Sequence, residues 1–190
     1  VFLISLTFIS LGAINISKFI EVYMNDLGYS SLDIGQFVFV TGIVSLFANA
    51  VITPIVARFR KDFVSMMAIQ LLSIVVVFIV FRIDQFMIAL YSLFLIYVAL
   101  KAIYTPLEQS YVSSHAKKGN YGTVMGVRQS FFSVGMVVGP LIGGFLYDIM
   151  PRYVFDFSVI MFSIGFVLLL IINQKIKKDD ALSQQKLSIE

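Results

Sequence analysis

Six apolar segments, each about long enough to cross a lipid bilayer as a helix, dominate this sequence. A spanning helix needs ~20 mostly apolar residues, because each residue advances the helix axis by ~1.5 Å. The six predicted spans cover residues 1–24, 34–57, 63–81, 86–106, 122–147 and 154–172. The β-branched run 74–80 would suit a strand in water, but an apolar run of ~19 residues without alternation is too long for a barrel strand. The sequence therefore predicts an all-α integral membrane protein.

Composition supports lipid, rather than a protein interior, as the surroundings of these segments. Of the 190 residues, 59% are hydrophobic and 13% are charged, whereas a soluble chain is about a quarter charged. A chain this short cannot hide so much apolar surface in its own core. The absence of cysteine and the single His115 exclude a disulfide framework and a cysteine- or histidine-rich metal site. No phosphate-binding loop or paired nucleophile and base occurs, so neither an enzyme nor a bound cofactor is predicted.

The connections between the spans alternate in charge. Arg58, Arg60 and Lys61 form one basic loop, and residues 115–120 and the segment after Ile172 are also basic. Cytoplasmic loops retain Lys and Arg, so these three regions are predicted to lie inside the cell with both ends of the chain. The net charge of +3 thus reflects membrane topology and not a nucleic-acid partner. Residues 179–190 are polar and aperiodic, and we expect a disordered cytoplasmic tail.

A glycine-rich pattern marks the fifth span. Gly135, Gly139, Pro140, Gly143 and Gly144 follow the order G-x-x-x-G-P-x-x-G-G. Glycines at this spacing form a flat stripe that lets a neighbouring helix approach closely, and an internal proline kinks a helix. Two interpretations stay open, namely helix packing alone and packing that also serves gating.

Together with segment 122–130, this pattern resembles the eleventh helix of multidrug exporters of the major facilitator superfamily, and it is similar to the family's antiporter motif. Segment 23–30 followed by Ile34 and Gly35 resembles the end of a repeat-opening helix and the start of the next. The basic loop after Pro54 stands where a family loop signature recurs, but its expected glycine and aspartate are not recognisable.

The resemblance covers residues 1–178 and is closest to the drug:proton antiporters. It implies helices seven to twelve of a twelve-helix fold, which is the C-terminal half of a transporter. The implied partners are the lipid bilayer, an N-terminal six-helix half of the same transporter, a small-molecule substrate and protons. It also implies a multi-pass protein of a bacterial cell membrane. Because the chain starts at Val1 inside an apolar run, we expect it to be a piece of a longer protein.

Several charged residues lie within the predicted spans, where burial of a charge is expensive. Lys18 and Glu21 are three residues apart and share a helix face, which suits either an outer gate or substrate contact, or an interfacial ion pair. Lys101, Glu108 and Arg128 are all predicted in the cytoplasmic half, with Gln129 as a neutral neighbour. Three interpretations stay open. These residues form a charge network that closes the inner gate, or Lys101 contacts the substrate directly, or the cationic side chains extend to the membrane surface.

The resemblance also places Asn15 and Lys101 where some drug exporters carry acidic residues that face the cavity. Neither is a proton-accepting carboxylate, so a coupling carboxylate is either Glu21 or in the other half. A lysine in the cavity favours an anionic or neutral substrate over a lipophilic cation. Seven aromatic residues either line a binding cavity or pack against helices and lipid: Phe37, Phe39, Phe47, Tyr97, Tyr104, Phe131 and Phe132.

The predicted function is secondary active transport, as proton-coupled efflux of drugs or small amphipathic solutes by alternating access. One alternative is an importer or facilitator of a polar or anionic metabolite. Another, from a different class, is a self-contained six-helix membrane protein such as a channel or an assembly factor.

Overall fold

A computed structural model of the chain describes residues 1–58, 62–116 and 119–187. In these ranges the chain forms six long helices, each apolar enough over 18 or more residues to cross a membrane. Their bounds are Phe2–Asp26 (α1), Ser31–Arg58 (α2), Asp62–Val80 (α3), Phe86–Ser114 (α4), Tyr121–Ile149 (α5) and Pro151–Leu187 (α6). The prediction of an all-α membrane protein with six spans is confirmed.

Two of the helices contain a widened turn. A π-helical turn occupies Ala48–Ile52 in α2, and another occupies Leu90–Phe94 in α4. In α2 the Thr53 hydroxyl donates a hydrogen bond to the Ala48 carbonyl at 3.1 Å. Such turns are often found at functional sites, and residues of both border the main cavity described below.

One difference from the predicted spans concerns α4, which was expected to end at Pro106 and instead continues to Ser114. Proline removes a backbone hydrogen bond, but a membrane helix tolerates it where hydroxyl side chains and neighbouring helices satisfy the backbone. Beside it, the Thr105 hydroxyl donates to the Lys101 carbonyl at 3.1 Å. Glu108 consequently lies within the helix. The backbone of α6 likewise remains helical to Leu187, where a disordered tail was expected from Asp179.

Helix α1 occupies the centre of the bundle. It packs along α5 and α6, while α3 packs against α4 and α6. An aromatic core lies where α3 ends, and there the ring of Phe81, directly after α3, stacks on Phe155 of α6 at 3.6 Å. By contrast, α2 packs mainly against α4, so most of its apolar surface is exposed. One side of α1 and α4 therefore borders an open space rather than another helix.

Three glycines bring α5 close to α1. Gly135, Gly139 and Gly143 are buried, and a Cβ added at Gly135 would lie 2.9 Å from the Leu11 backbone nitrogen. Gly144 behaves differently, because a Cβ there would meet nothing within 4 Å. The close contact with α1 is therefore formed by the three glycines that are four residues apart, and Gly144 lies on another face of the helix. Pro140 lies within α5, which continues through it to Ile149.

Candidate functional site

One cavity between helices, here called the main cavity, lies among α1, α2 and α4. Its volume is about 560 Å³, within the range typical of small-molecule sites. Aromatic and aliphatic side chains form much of its wall, including Phe37, Phe94 and Val98. Two charged side chains face it, Glu21 from α1 and Lys101 from α4. The space therefore combines an apolar surface with a few polar groups that can orient a ligand.

Lys101 is held at the boundary between α4 and α1. Its ammonium donates a hydrogen bond to the Ser17 hydroxyl at 2.6 Å. Glu21 follows Ser17 by one helical turn, so both face the cavity from the same side of α1. An ammonium has three donors and no acceptor capacity, so Lys101 has donors left for a further acceptor.

A polar stripe on α2 faces the same cavity and was missed by the reasoning from sequence. Thr41, Ser45 and Asn49 are four residues apart, and all three line the main cavity. The Asn49 amide donates to the Ser45 carbonyl at 3.0 Å, within the helix. The four-residue spacing of these polar groups in an otherwise apolar span was the available signal, because such residues share one helix face.

A buried ion pair joins α4 to α5. Arg128 Nη2 lies 2.5 Å from Glu108 Oε2, and Arg128 Nε donates to both carboxylate oxygens at 3.1 Å. The two side chains are 1% and 6% exposed, for Glu108 and Arg128 respectively. Gln129 accepts a further hydrogen bond from the guanidinium at 3.1 Å. The structure thus brings Glu108, Arg128 and Gln129 together, whereas the Lys101 ammonium is bonded to Ser17 instead.

A second, narrower cavity lies behind the main one, among α1, α3, α4 and α5. This rear chamber has a volume of about 110 Å³. Tyr97, Lys101 and Thr105 line both cavities, so they form the wall between them. Six other residues that line the rear chamber bear on the argument below: Gln70, Ser73, Tyr104, Glu108, Arg128 and Phe132.

Asn15 does not line the main cavity, although the resemblance placed it at a cavity-facing position. It is fully buried on the face of α1 that meets α5, where its Oδ1 would lie 3.7 Å from a Cβ added at Gly139. The reason is helical geometry, since Asn15 is two residues from Ser17 and points about 200° around the axis from it. Among the described residues, neither polar atom of its amide has a hydrogen-bond partner.

The remaining candidates are scattered. Within the described part of the chain, Lys18 and Glu21 form no ion pair, and the exposed Lys18 does not line the main cavity. Phe131 lines neither the main cavity nor the rear chamber, and its carbonyl accepts a hydrogen bond from the Thr7 hydroxyl at 3.1 Å. Arg58 is exposed at the end of α2. Arg60 and Lys61 lie outside the described residues.

One polar contact at the C-terminal end of α1 was not predicted from the sequence. The Tyr147 hydroxyl of α5 donates to the Asp26 carboxylate at 2.6 Å. Its ring also stacks on Phe19 at 5.2 Å. The two groups are 121 residues apart, so no local pattern could have paired them.

Six membrane-spanning helices with a cavity among α1, α2 and α4 have the architecture of half a membrane transporter. The chain belongs to the Major Facilitator Superfamily, whose family model matches residues 1–188. No curated protein matches the chain. The family consists of secondary transporters rather than enzymes, so the protein is a multi-pass membrane transporter of a small-molecule substrate. The predicted superfamily is confirmed, and the assignment to the drug:proton antiporters remains a prediction.

Proposed function

We propose that the protein exports small amphipathic solutes in exchange for protons, by alternating access. In this proposal the six helices pair with an N-terminal six-helix half of the same transporter, and the substrate binds between the halves. We also propose a bacterial cell membrane with both ends of this segment in the cytoplasm, because cytoplasmic connections retain Lys and Arg.

The observation that carries the proposal is Lys101 in the wall of the main cavity, bonded to Ser17 at 2.6 Å. A cation beside apolar walls attracts an anionic or strongly accepting group, and such charge-assisted hydrogen bonds are about twice as strong as neutral ones. Phe37, Phe94 and Tyr97 would then hold the apolar part of the solute. We therefore propose an amphipathic solute with an anionic or neutral polar group and not a lipophilic cation.

Glu21 is our proposed proton site in this half. Of the described residues that line the main cavity, it is the one carboxylate, and it lies a helical turn from the Ser17 that binds Lys101. A carboxylate that opens onto the cavity can exchange protons with water on whichever side the cavity faces. Protonation of Glu21 would change the net charge that the substrate meets, which would couple the two movements.

The Glu108–Arg128 pair and the glycine contact are our proposed gating elements. The pair fixes α4 to α5, and Gly135, Gly139 and Gly143 allow α5 to lie against α1. Helices joined by close backbone packing and one buried ion pair tend to move as a body, with discrete arrangements rather than gradual bending.

A second candidate, import or facilitated entry of an anionic metabolite, is favoured by the same lysine. The two functions differ in the direction of solute movement and in whether that movement is coupled to protons. The full-length natural protein in proteoliposomes, with an imposed pH gradient, distinguishes them by whether solute flux opposes the proton flux. Inward flux that ignores the gradient would reject proton-coupled export.

The substrate class is tested in the same vesicles with an anionic and a cationic fluorescent dye of similar size. We expect transport of the anionic dye, and we expect Lys101→Gln to lose most of it because the cavity loses its cation. Lys175→Gln is the matched control, since Lys175 is exposed near the end of α6. Transport of the cationic dye that Lys101→Gln leaves unchanged would refute the proposed substrate class.

A further inference from the structure

The rear chamber contains buried polar atoms that the packing of the helices does not satisfy. Among the described residues, the Tyr97 hydroxyl and the Gln70 side-chain Nε2 have no hydrogen-bond partner. Tyr97 is 2% and Gln70 is 3% exposed. An unsatisfied buried polar group costs about 1–3 kcal/mol, so two such groups on one small cavity require an explanation.

The chamber has the size and the chemistry to hold water. Water occupies about 30 Å³ per molecule in the liquid, so the volume of about 110 Å³ admits roughly three molecules. Buried waters make about three hydrogen bonds each to polar groups that are otherwise unpaired. The Gln70 amide and the Tyr97 hydroxyl offer such partners, and the ion pair lies in the same wall. The Ser73 hydroxyl already donates to the Ile69 carbonyl at 2.8 Å, so it can only accept a hydrogen bond from the water.

The position of Lys101 gives this water a role. Its side chain borders the main cavity, where it binds Ser17, and also borders the rear chamber. Lys101 is half-buried. Moving an ammonium even partly out of water is costly unless other acceptors replace the lost water, and water in the rear chamber supplies acceptors on the side away from the main cavity. Hydration from behind would keep the ammonium charged and leave its front free for an anionic group.

We propose that the rear chamber is a water-binding site that hydrates Lys101 from the side opposite the main cavity. Gln70 is then a positioning residue, since it holds the water and does not touch the substrate. The role of this water in transport rests on the proposed function, whereas its presence does not. The two statements are tested by separate measurements.

The presence of water is tested by hydroxyl-radical labelling, in which X-rays generate radicals from water and oxidise adjacent side chains. With the full-length natural protein in lipid nanodiscs, we expect Tyr104 and Phe132, which line the chamber, to be oxidised several-fold faster than Phe155. Phe155 is 1% exposed and packs in the aromatic core. Equal rates at these positions would show a dry chamber and overturn the proposal.

The role of Gln70 is tested by Gln70→Leu, which nearly conserves volume, with Gln174→Leu on the exposed surface of α6 as the matched control. We expect Gln70→Leu to reduce labelling of Tyr104 and Phe132 and to raise the KM for an anionic solute several-fold, with little change in kcat. If Gln70→Leu leaves the labelling of Tyr104 and Phe132 unchanged and raises the thermal stability, the proposed role of Gln70 is contradicted. That result would mean that the substitution removed an unpaired amide from a dry site.

The two proposals fail in different ways. If the natural protein moves no anionic solute but Tyr104 and Phe132 are labelled rapidly, the proposed substrate class is wrong and the water site stands. If transport is present and labelling matches Phe155, the water site is wrong and the proposed function stands.

Discussion

The free energy contributed by the Glu108–Arg128 pair can be worked out from its burial. Both groups are almost fully buried and are joined by three hydrogen bonds. Glu108→Gln keeps the size of the side chain but leaves the Arg128 charge without a counter-ion. Breaking one side of a buried ion pair costs about 3–5 kcal/mol, so we expect the free energy of unfolding to fall by about that amount.

The double-mutant cycle separates the charge interaction from other effects of each substitution. Arg128→Gln should also be strongly destabilising, because it leaves an uncompensated carboxylate. The variant with both substitutions contains no buried charge, so we expect its loss to be smaller than the sum of the single losses, by up to ~3 kcal/mol. The free energy of unfolding of the natural protein, the two single variants and the double variant is measured in mixed micelles with increasing dodecyl sulfate, and circular dichroism follows the loss of helix.

The pair Arg82–Asp156 provides an internal control. It has the same kind of contact, 2.9 Å from guanidinium to carboxylate, but its side chains are 45% and 42% exposed. Exposed ion pairs contribute about 0–1 kcal/mol, so Asp156→Asn should be nearly neutral. The reasoning is refuted if Glu108→Gln costs no more than Asp156→Asn, or if the two losses at Glu108 and Arg128 simply add.

Two further substitutions test the packing of α5 on α1. Gly135→Ala should destabilise the protein by about 1–3 kcal/mol, because the new methyl group meets the Leu11 backbone at 2.9 Å. Gly144→Ala should be neutral or stabilising by up to ~1 kcal/mol, because its Cβ meets nothing within 4 Å; thermal unfolding compares the two, and equal effects would argue against close packing at Gly135. Tyr147→Phe should cost about 0.5–1.5 kcal/mol in the same assay by removing the hydrogen bond to Asp26, and Asp26→Asn in the Tyr147→Phe background should add little.

The sequence predicted contacts well where the partners lie on one helix or follow a strong pattern. The glycine stripe was recognised because its four-residue spacing places Gly135, Gly139 and Gly143 on one face. Glu108 and Arg128 were grouped with Lys101 in one possible charge network, because charges in apolar spans need partners. The structure joins Glu108 and Arg128 and bonds Lys101 to Ser17 instead. The sequence did not show that Asn15 packs towards α5, because a resemblance carries a position along the chain but not the rotation of a helix against its neighbours.

The number of spans and the class of the protein were determined by the sequence alone. Each ~20-residue apolar run satisfies its own backbone hydrogen bonds inside lipid, so crossing the membrane is a local property of each segment. Only the tertiary structure decided which side chains meet. Lys101 binds Ser17 across 84 residues of chain, and Tyr97, Lys101 and Thr105 separate two cavities. Those arrangements depend on how the helices rotate and pack against one another, which hydropathy does not encode because lipid and a neighbouring helix are equally apolar.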